Sequence, residues 1–191
     1  MTVPATEFSV DATGWLRGPG VRTLPSPHHD PRPPGTVVDL LVLHNISLPP
    51  GDFGGDHIAA LFTGALEPSA HPFFASLIGV RVSAHFLVER TGRITQFVAC
   101  QERAWHAGAS SHRGRPRCND FSIGVELEGT DFMPFAPVQY DALARLTAAL
   151  RAVLPLAWAC GHSDIAQERK TDPGPFFDWL RYSASNSLVR G

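Results

Sequence analysis

Cysteine is scarce in this chain. The three present, Cys100, Cys118 and Cys160, lack the close spacing of a thiolate zinc knuckle, and an odd number leaves at least one outside any intramolecular disulfide. An excess of charge of one sign is also missing. With 16 Lys and Arg against 18 Asp and Glu, the formal net charge is -2, which excludes a global basic footprint for DNA or RNA. The compact basic patch, His112-Arg113-Gly114-Arg115-Pro116-Arg117, reads as a solvated loop or a site for an acidic small ligand. No uninterrupted apolar run reaches the ~18 residues of a membrane span. The opening residues have neither the basic leader nor the apolar core of a signal peptide. A soluble protein of a reducing, cytoplasmic compartment is therefore expected, with no nucleic-acid, membrane or obligate protein partner. A close metal-ligand pair of the HExxH type is absent too.

What is present suffices for one core: 191 residues, 43% of them hydrophobic, read as a single domain. Residues 1–24 are weakly patterned and expected to pack on that domain through Trp15 and Leu16, with the domain proper at 25–182. After them the proline-rich PSPHHDPRPPG is a loop. His28 and His29 lie in it as adjacent residues whose side chains diverge in extended chain, which favours structural or substrate-loop roles over shared ligation. Val37 to Leu43 is a buried-strand run with His44 and Asn45 at its polar exit. A short helix is expected from His57 to Phe62, capped by Asp56, and a second follows near Pro72. These pieces form a rim over the core. Arg81 to Glu89 and Ile94 to Val98, joined by a turn, read as a hairpin. His85 within it is either an interior residue or a companion of His44 in a metal site.

Trp105 and His106 follow in a polar, glycine-containing segment, where His106 can hydrogen-bond a ligand and Trp105 can stack on its apolar face. Ser122 to Glu128 alternates: Ile123, Val125 and Leu127 share one side, and Gly124, Glu126 and Glu128 the other. A mid-strand Glu126 is either a solvent-facing acid or a buried carboxylate with a raised pKa, as a general base requires. Val138 to Leu154 is the clearest helix, with a stripe of Leu143, Leu146, Leu150 and Leu154. PFFDWLRY then forms a terminal helix, and residues 183–191 are expected to be a flexible tail.

The segment WACGHSDIAQERKTDPGP, Trp158 to Pro175, gathers His162, Lys170 and Asp172 among residues that stiffen the backbone. If the chain is extended there, Lys170 and Asp172 project to the same side. His44, His162 and Asp172 are one possible open three-ligand zinc set, although the spacing of nine histidines does not single it out. In that arrangement Glu126 would accept the proton of an activated water and Lys170 would stabilise an oxyanion. Asp164 reads as a capping acid beside His162, and stands second to Glu126 as a candidate base.

The stretches LLVLHNISLPPGDFGG, HPFF with RVSAHFLV, RAWHAG, CNDFSIGVELEGTD and GHSDIAQERKTDPGP together resemble the zinc-dependent N-acetylmuramoyl-L-alanine amidases, relatives of phage-type amidases and peptidoglycan recognition proteins. The resemblance spans most of the chain from the proline-rich loop to WLRY. It implies an α/β single domain with a central mixed β-sheet flanked by helices. It further implies one Zn2+ held by His44, His162 and Asp172, with Glu126 as catalytic acid/base and Lys170 at the transition state. Asn45 and Arg81 would take part in substrate recognition. An aspartate at 172, where some relatives have cysteine, fits the cytosolic recycling branch, whose substrates are small soluble 1,6-anhydro-muropeptides. Two other readings stand beside this one: a noncatalytic peptidoglycan-fragment-binding module, and a glycosidase using Glu126 and Glu128.

Overall fold

The computed structural model describes residues 8–191; residues 1–7, the start of the expected N-terminal extension, lie outside them. Seven strands form the main sheet: β1 (Val21–Thr23), β2 (Leu40–Ile46), β3 (Phe86–Val88), β4 (Ile94–Gln96), β5 (Ser122–Glu128), β6 (Trp158–Gly161) and β7 (Val189–Arg190). Their spatial order is β7-β6-β2-β5-β3-β4-β1. Neighbours from β7 to β3 are parallel, β4 turns back against β3 as a hairpin, and β1 lies parallel to β4. The helices are α1 (His57–Thr63), α2 (Pro137–Arg151), α3 (His162–Ile165) and α4 (Trp179–Ala184). The fold is thus an α/β domain around a mixed sheet.

Alternation in β5 sorts the two faces of the sheet. Ile123, Val125 and Leu127 join Leu41 and Leu43 under the stripe Leu143, Leu146 and Leu150 of α2. Each of these side chains is fully buried, worth about 1.5–3 kcal/mol apiece. The opposite face carries Leu40 and Val42 against Ala107, Cys118, Phe121, Cys160 and Ile165. On that face β2 and β5 also present His44 and Glu126, paired in register.

Several expected boundaries move. β2 begins at Leu40 rather than Val37, which is exposed, and it runs through His44 and Asn45 to Ile46. The hairpin turns where expected, closed by the Glu89–Arg93 backbone bond with Gly92 at φ +80, but its strands are shorter, Phe86–Val88 and Ile94–Gln96. α2 ends at Arg151, short of Leu154, since the ring of Pro155 disfavours helical angles at the residue before it. Asp56 does not cap α1; its carboxylate is taken by Arg22 at 2.7 Å. The segment near Pro72 is 3-10 rather than α, with the His71 side chain accepting from the Phe73 amide. Within residues 183–191, Leu188 is buried and β7 pairs with β6 along the otherwise open edge of that strand. In the described part of residues 1–24, Leu16 is 1% exposed and β1 is a strand of the main sheet. The basic patch forms a small hairpin, Ser111–His112 with Arg115–Pro116. Arg115 reaches Asp39 at 2.7 Å and lies over Phe121, so its charge is committed to the protein.

Candidate active site and metal centre

Three parallel strands end side by side, and ligands in open α/β sheets bind at such carboxyl ends. β2 delivers His44, β5 delivers Glu126, and β6 runs directly into His162 at the start of α3. Asp164 accepts from the Gly161 amide at 2.7 Å, the capping role expected of it, and so holds the corner where His162 turns inward. The Ser163 amide donates to the Asp172 carbonyl at 2.9 Å, which brings the later loop back over the same point.

The outcome is a tight triangle. His44 Nδ1 lies 3.1 Å from His162 Nδ1 and 2.9 Å from Asp172 Oδ2, and His162 Nδ1 lies 3.1 Å from that same oxygen. Both histidines are almost fully buried, and the three residues form a group able to hold a metal ion. Tetrahedral zinc with ligands at ~2.0–2.1 Å separates its donor atoms by roughly 3.3–3.4 Å, close to these edges. Proton placement supports the same fit. His162 Nε2 is 3.1 Å from the Ala107 carbonyl, which can only accept, so that nitrogen carries a hydrogen, and the tautomer with a single ring hydrogen turns its Nδ1 lone pair to the triangle. Two imidazole nitrogens and a carboxylate oxygen converging on one point are a donor set that a cation satisfies. Burial pushes His44 down, towards the neutral imidazole that metals bind.

A cavity of about 240 Å³ opens over this triangle, with Asn45, Trp105, Glu126 and Lys170 also in its wall. Glu126 is pushed well above the ordinary carboxylate range, first by burial and then by the Asp172 charge, while Lys170 pulls the other way. Its Oε2 is buried without a hydrogen-bond partner among the described residues. Lys170 is exposed at the rim and has no ion-pair partner among them. Lys170 and Asp172 line the same cavity. The Asn45 amide donates to Asp131 at 2.6 Å. Arg81 is exposed in an adjoining hollow of about 230 Å³ that shares Trp105, His106 and Lys170 with the first. The Trp105 indole donates to Asp30 at 3.1 Å and its ring stacks on His28.

His106 departs from expectation, since both ring nitrogens face protein: Nδ1 is 3.0 Å from His44 Nε2, and Nε2 is 3.1 Å from Ser122 Oγ. Burial, then the neighbouring imidazoles, push it far down, so the ring is neutral. His85 is an interior residue, with Nδ1 accepting from the Gly124 amide at 3.0 Å and Nε2 against the Glu102 carbonyl at 3.1 Å. Glu128 is tied by both oxygens to the amides of Gly54 and Arg90. Ser122, Asn119 and Asp131 went unremarked in the sequence; for Ser122 the signal was its place on the Gly124 and Glu126 side of an alternating strand.

A family model described as N-acetylmuramoyl-L-alanine amidase matches residues 34–175, which contain the whole triangle. The chain belongs to the N-acetylmuramoyl-L-alanine amidase family. The 1,6-anhydro-N-acetylmuramyl-L-alanine amidase AmpD of Escherichia coli (strain K12) is 57% identical to this amidase over 171 residues, covering 88% of this chain and 92% of that protein. A crystal structure of a Se-Met AmpD derivative is similar at a TM-score of 0.86 and 54% identity, over 93% of this chain and 98% of that one. The E. coli amidase AmiD, solved in complex with the substrate anhydro-N-acetylmuramic acid-L-Ala-D-gamma-Glu-L-Lys, is similar at a TM-score of 0.61 and 27% identity. That match covers 97% of this chain and 68% of that one.

Proposed function

We propose that this amidase hydrolyses the amide between 1,6-anhydro-N-acetylmuramic acid and L-alanine in small soluble muropeptides, using one zinc ion, in cytoplasmic recycling of peptidoglycan. The observation that carries the reading is the triangle of His44, His162 and Asp172 with Glu126 in the same cavity. The substrate class is supported by the E. coli relatives, one named for the anhydro sugar and one solved with an anhydro-muramyl peptide. Three free, buried thiols suit a reducing compartment.

His44, His162 and Asp172 would hold the ion, which supplies Lewis-acid polarisation of the scissile carbonyl and of the attacking water. Glu126, as carboxylate, takes one proton from that water as its oxygen bonds to the carbonyl carbon. The same proton then goes to the alanine nitrogen as the carbon–nitrogen bond breaks, leaving a lactyl carboxylic acid and a free peptide amine; the second water proton then passes from the acid to the amine, giving carboxylate and ammonium. A base lifted by burial towards neutrality suits both steps. Lys170 presents its ammonium where negative charge grows on the former carbonyl oxygen. Asn45, Trp105 and Arg81 line the walls that would orient sugar and stem peptide.

Mass spectrometry of the products tests this. Anhydro-muramyl sugar plus a peptide beginning with L-alanine is expected. A shortened glycan would make the protein a glycosidase, against which stands the engagement of both Glu128 oxygens by backbone amides. Intact ligand would make it a binding module. Competition between anhydro- and reducing-end muropeptides should favour the anhydro form, and equal rates would reject the recycling role.

A further inference from the structure

A line of hydrogen bonds runs from the turn at Cys118–Asp120 to the metal triangle, and with one hydrogen on each imidazole its proton order follows from the Ser122 end. Ser122 has one hydroxyl hydrogen and lies 2.6 Å from the Cys118 carbonyl, which can only accept, so the hydrogen points there. Ser122 Oγ must then accept from His106 Nε2, 3.1 Å away. A neutral imidazole with its hydrogen on Nε2 has a bare Nδ1. That atom accepts from His44 Nε2 at 3.0 Å. His44 is left with its own lone pair on Nδ1, the nitrogen in the triangle with His162 and Asp172.

We propose that His106 is a positioning residue that holds His44 as the Nε2–H tautomer, keeping Nδ1 free for the metal; the inference rests on the zinc reading above. In the opposite tautomer a hydrogen would occupy the ligand position and binding would have to expel it or turn the ring. Partners of this kind fix both the tautomer and the orientation of ligating histidines.

Two further observations support the assignment independently. A Cβ at Gly124 would lie 2.4 Å from Cγ of the His106 ring, so the strand is bare where the imidazole rests on it. Asn119 Oδ1 accepts from the backbone amides of His106 at 3.1 Å and Ala107 at 2.8 Å. The Ala107 carbonyl in turn takes the Nε2 hydrogen of His162. One short segment, Cys118 to Ser122, thus sets the proton positions of both ligating histidines by two separate routes.

The test is zinc affinity, measured by competition with a chromogenic chelator on folded protein. His106→Leu should weaken zinc by ~10–100-fold, the usual cost of losing such a partner. His106→Asn, whose Oδ1 can stand near the position of Nδ1 and accept from His44, should recover most of that loss. Gly124→Ala should weaken zinc as well, by displacing the ring. In nitrogen-15 spectra of the zinc-loaded protein, His106 should carry its proton on Nε2. Wild-type affinity in His106→Leu, an Asn variant no better than Leu, or a His106 proton on Nδ1 would each overturn the proposal. If His106→Leu does not fold, Ser122→Ala serves in its place: weaker zinc supports the chain and unchanged affinity refutes it. A wild-type protein that does not bind zinc would bring down the metal reading along with this one, whereas tight wild-type binding with indifferent variants brings down this one alone.

Discussion

Glu126 and His44 are in-register neighbours on parallel strands, paired Cα to Cα in the ladder between β2 and β5. Parallel partners in register project to the same face, so a base and a metal ligand are set side by side by backbone hydrogen bonds rather than by a loop. Sites built on strands hold their geometry more closely than sites on loops.

Asp172 contributes the single carboxylate of the triangle. Metal analysis of the purified protein should find about one zinc per chain. Asp172→Ala should lose metal and turnover together, since two histidines alone form a poor site. Full activity after exhaustive chelation would count against the whole scheme.

Glu126→Gln keeps nearly the same volume and should keep zinc and fold. Its turnover should drop by ~10²–10⁴, the usual contribution of a positioned general base. Single-turnover hydrolysis measured beside zinc content separates this from a ligand defect, and near-normal rates would move the proton transfer elsewhere.

The same substitution should stabilise the metal-free protein. Burial raises the folded-state pKa of Glu126, so the folded chain prefers the protonated acid. Below the unfolded value of ~4.5 both states are protonated and the two proteins should unfold alike. As pH rises from there through the raised folded pKa, wild type pays a growing penalty that glutamine does not, reaching about 1–3 kcal/mol for a poorly satisfied buried group. Urea unfolding in chelator at several pH values reads the difference directly; a gap that widens towards acid would have the wrong sign.

Lys170 lies at the rim of the cavity. Lys170→Met should retain zinc and lower kcat by ~10²–10³, the scale of one lost oxyanion donor. A raised muropeptide dissociation constant with unchanged saturated hydrolysis would instead make it a substrate anchor. Loss of metal would make it part of the site's framework.

Legibility followed the range of the interactions. Ser122 to Glu128 was readable to the residue because strict alternation and a buried face leave one register open. The leucine stripe of α2 was readable for the same local reason. The triangle was not readable from spacing: His44 is 118 residues from His162 and 128 from Asp172, and they meet only through the strand order β6-β2-β5. There the family resemblance supplied what local pattern could not. Asp56 failed as a cap because Arg22, 34 residues away, competes for its carboxylate. His106 looked ligand-facing because Ser122 and His44, both remote in sequence, were not known to bracket it.

Glu128 lies two residues beyond the base on the same strand, and its grip on the amides of Gly54 and Arg90 joins that strand to the loop entering α1 and to the turn of the β3–β4 hairpin. The loop that enters α1, the helix giving Leu61 and Phe62 to the cavity wall, is thereby tethered before any muropeptide arrives. Conformational freedom already lost during folding need not be lost again on association. Binding heat should accordingly show little of the unfavourable entropy of a loop that orders on contact, and cutting the tether with Glu128→Ala should return that entropy to the binding step while leaving the bond that is cleaved the same.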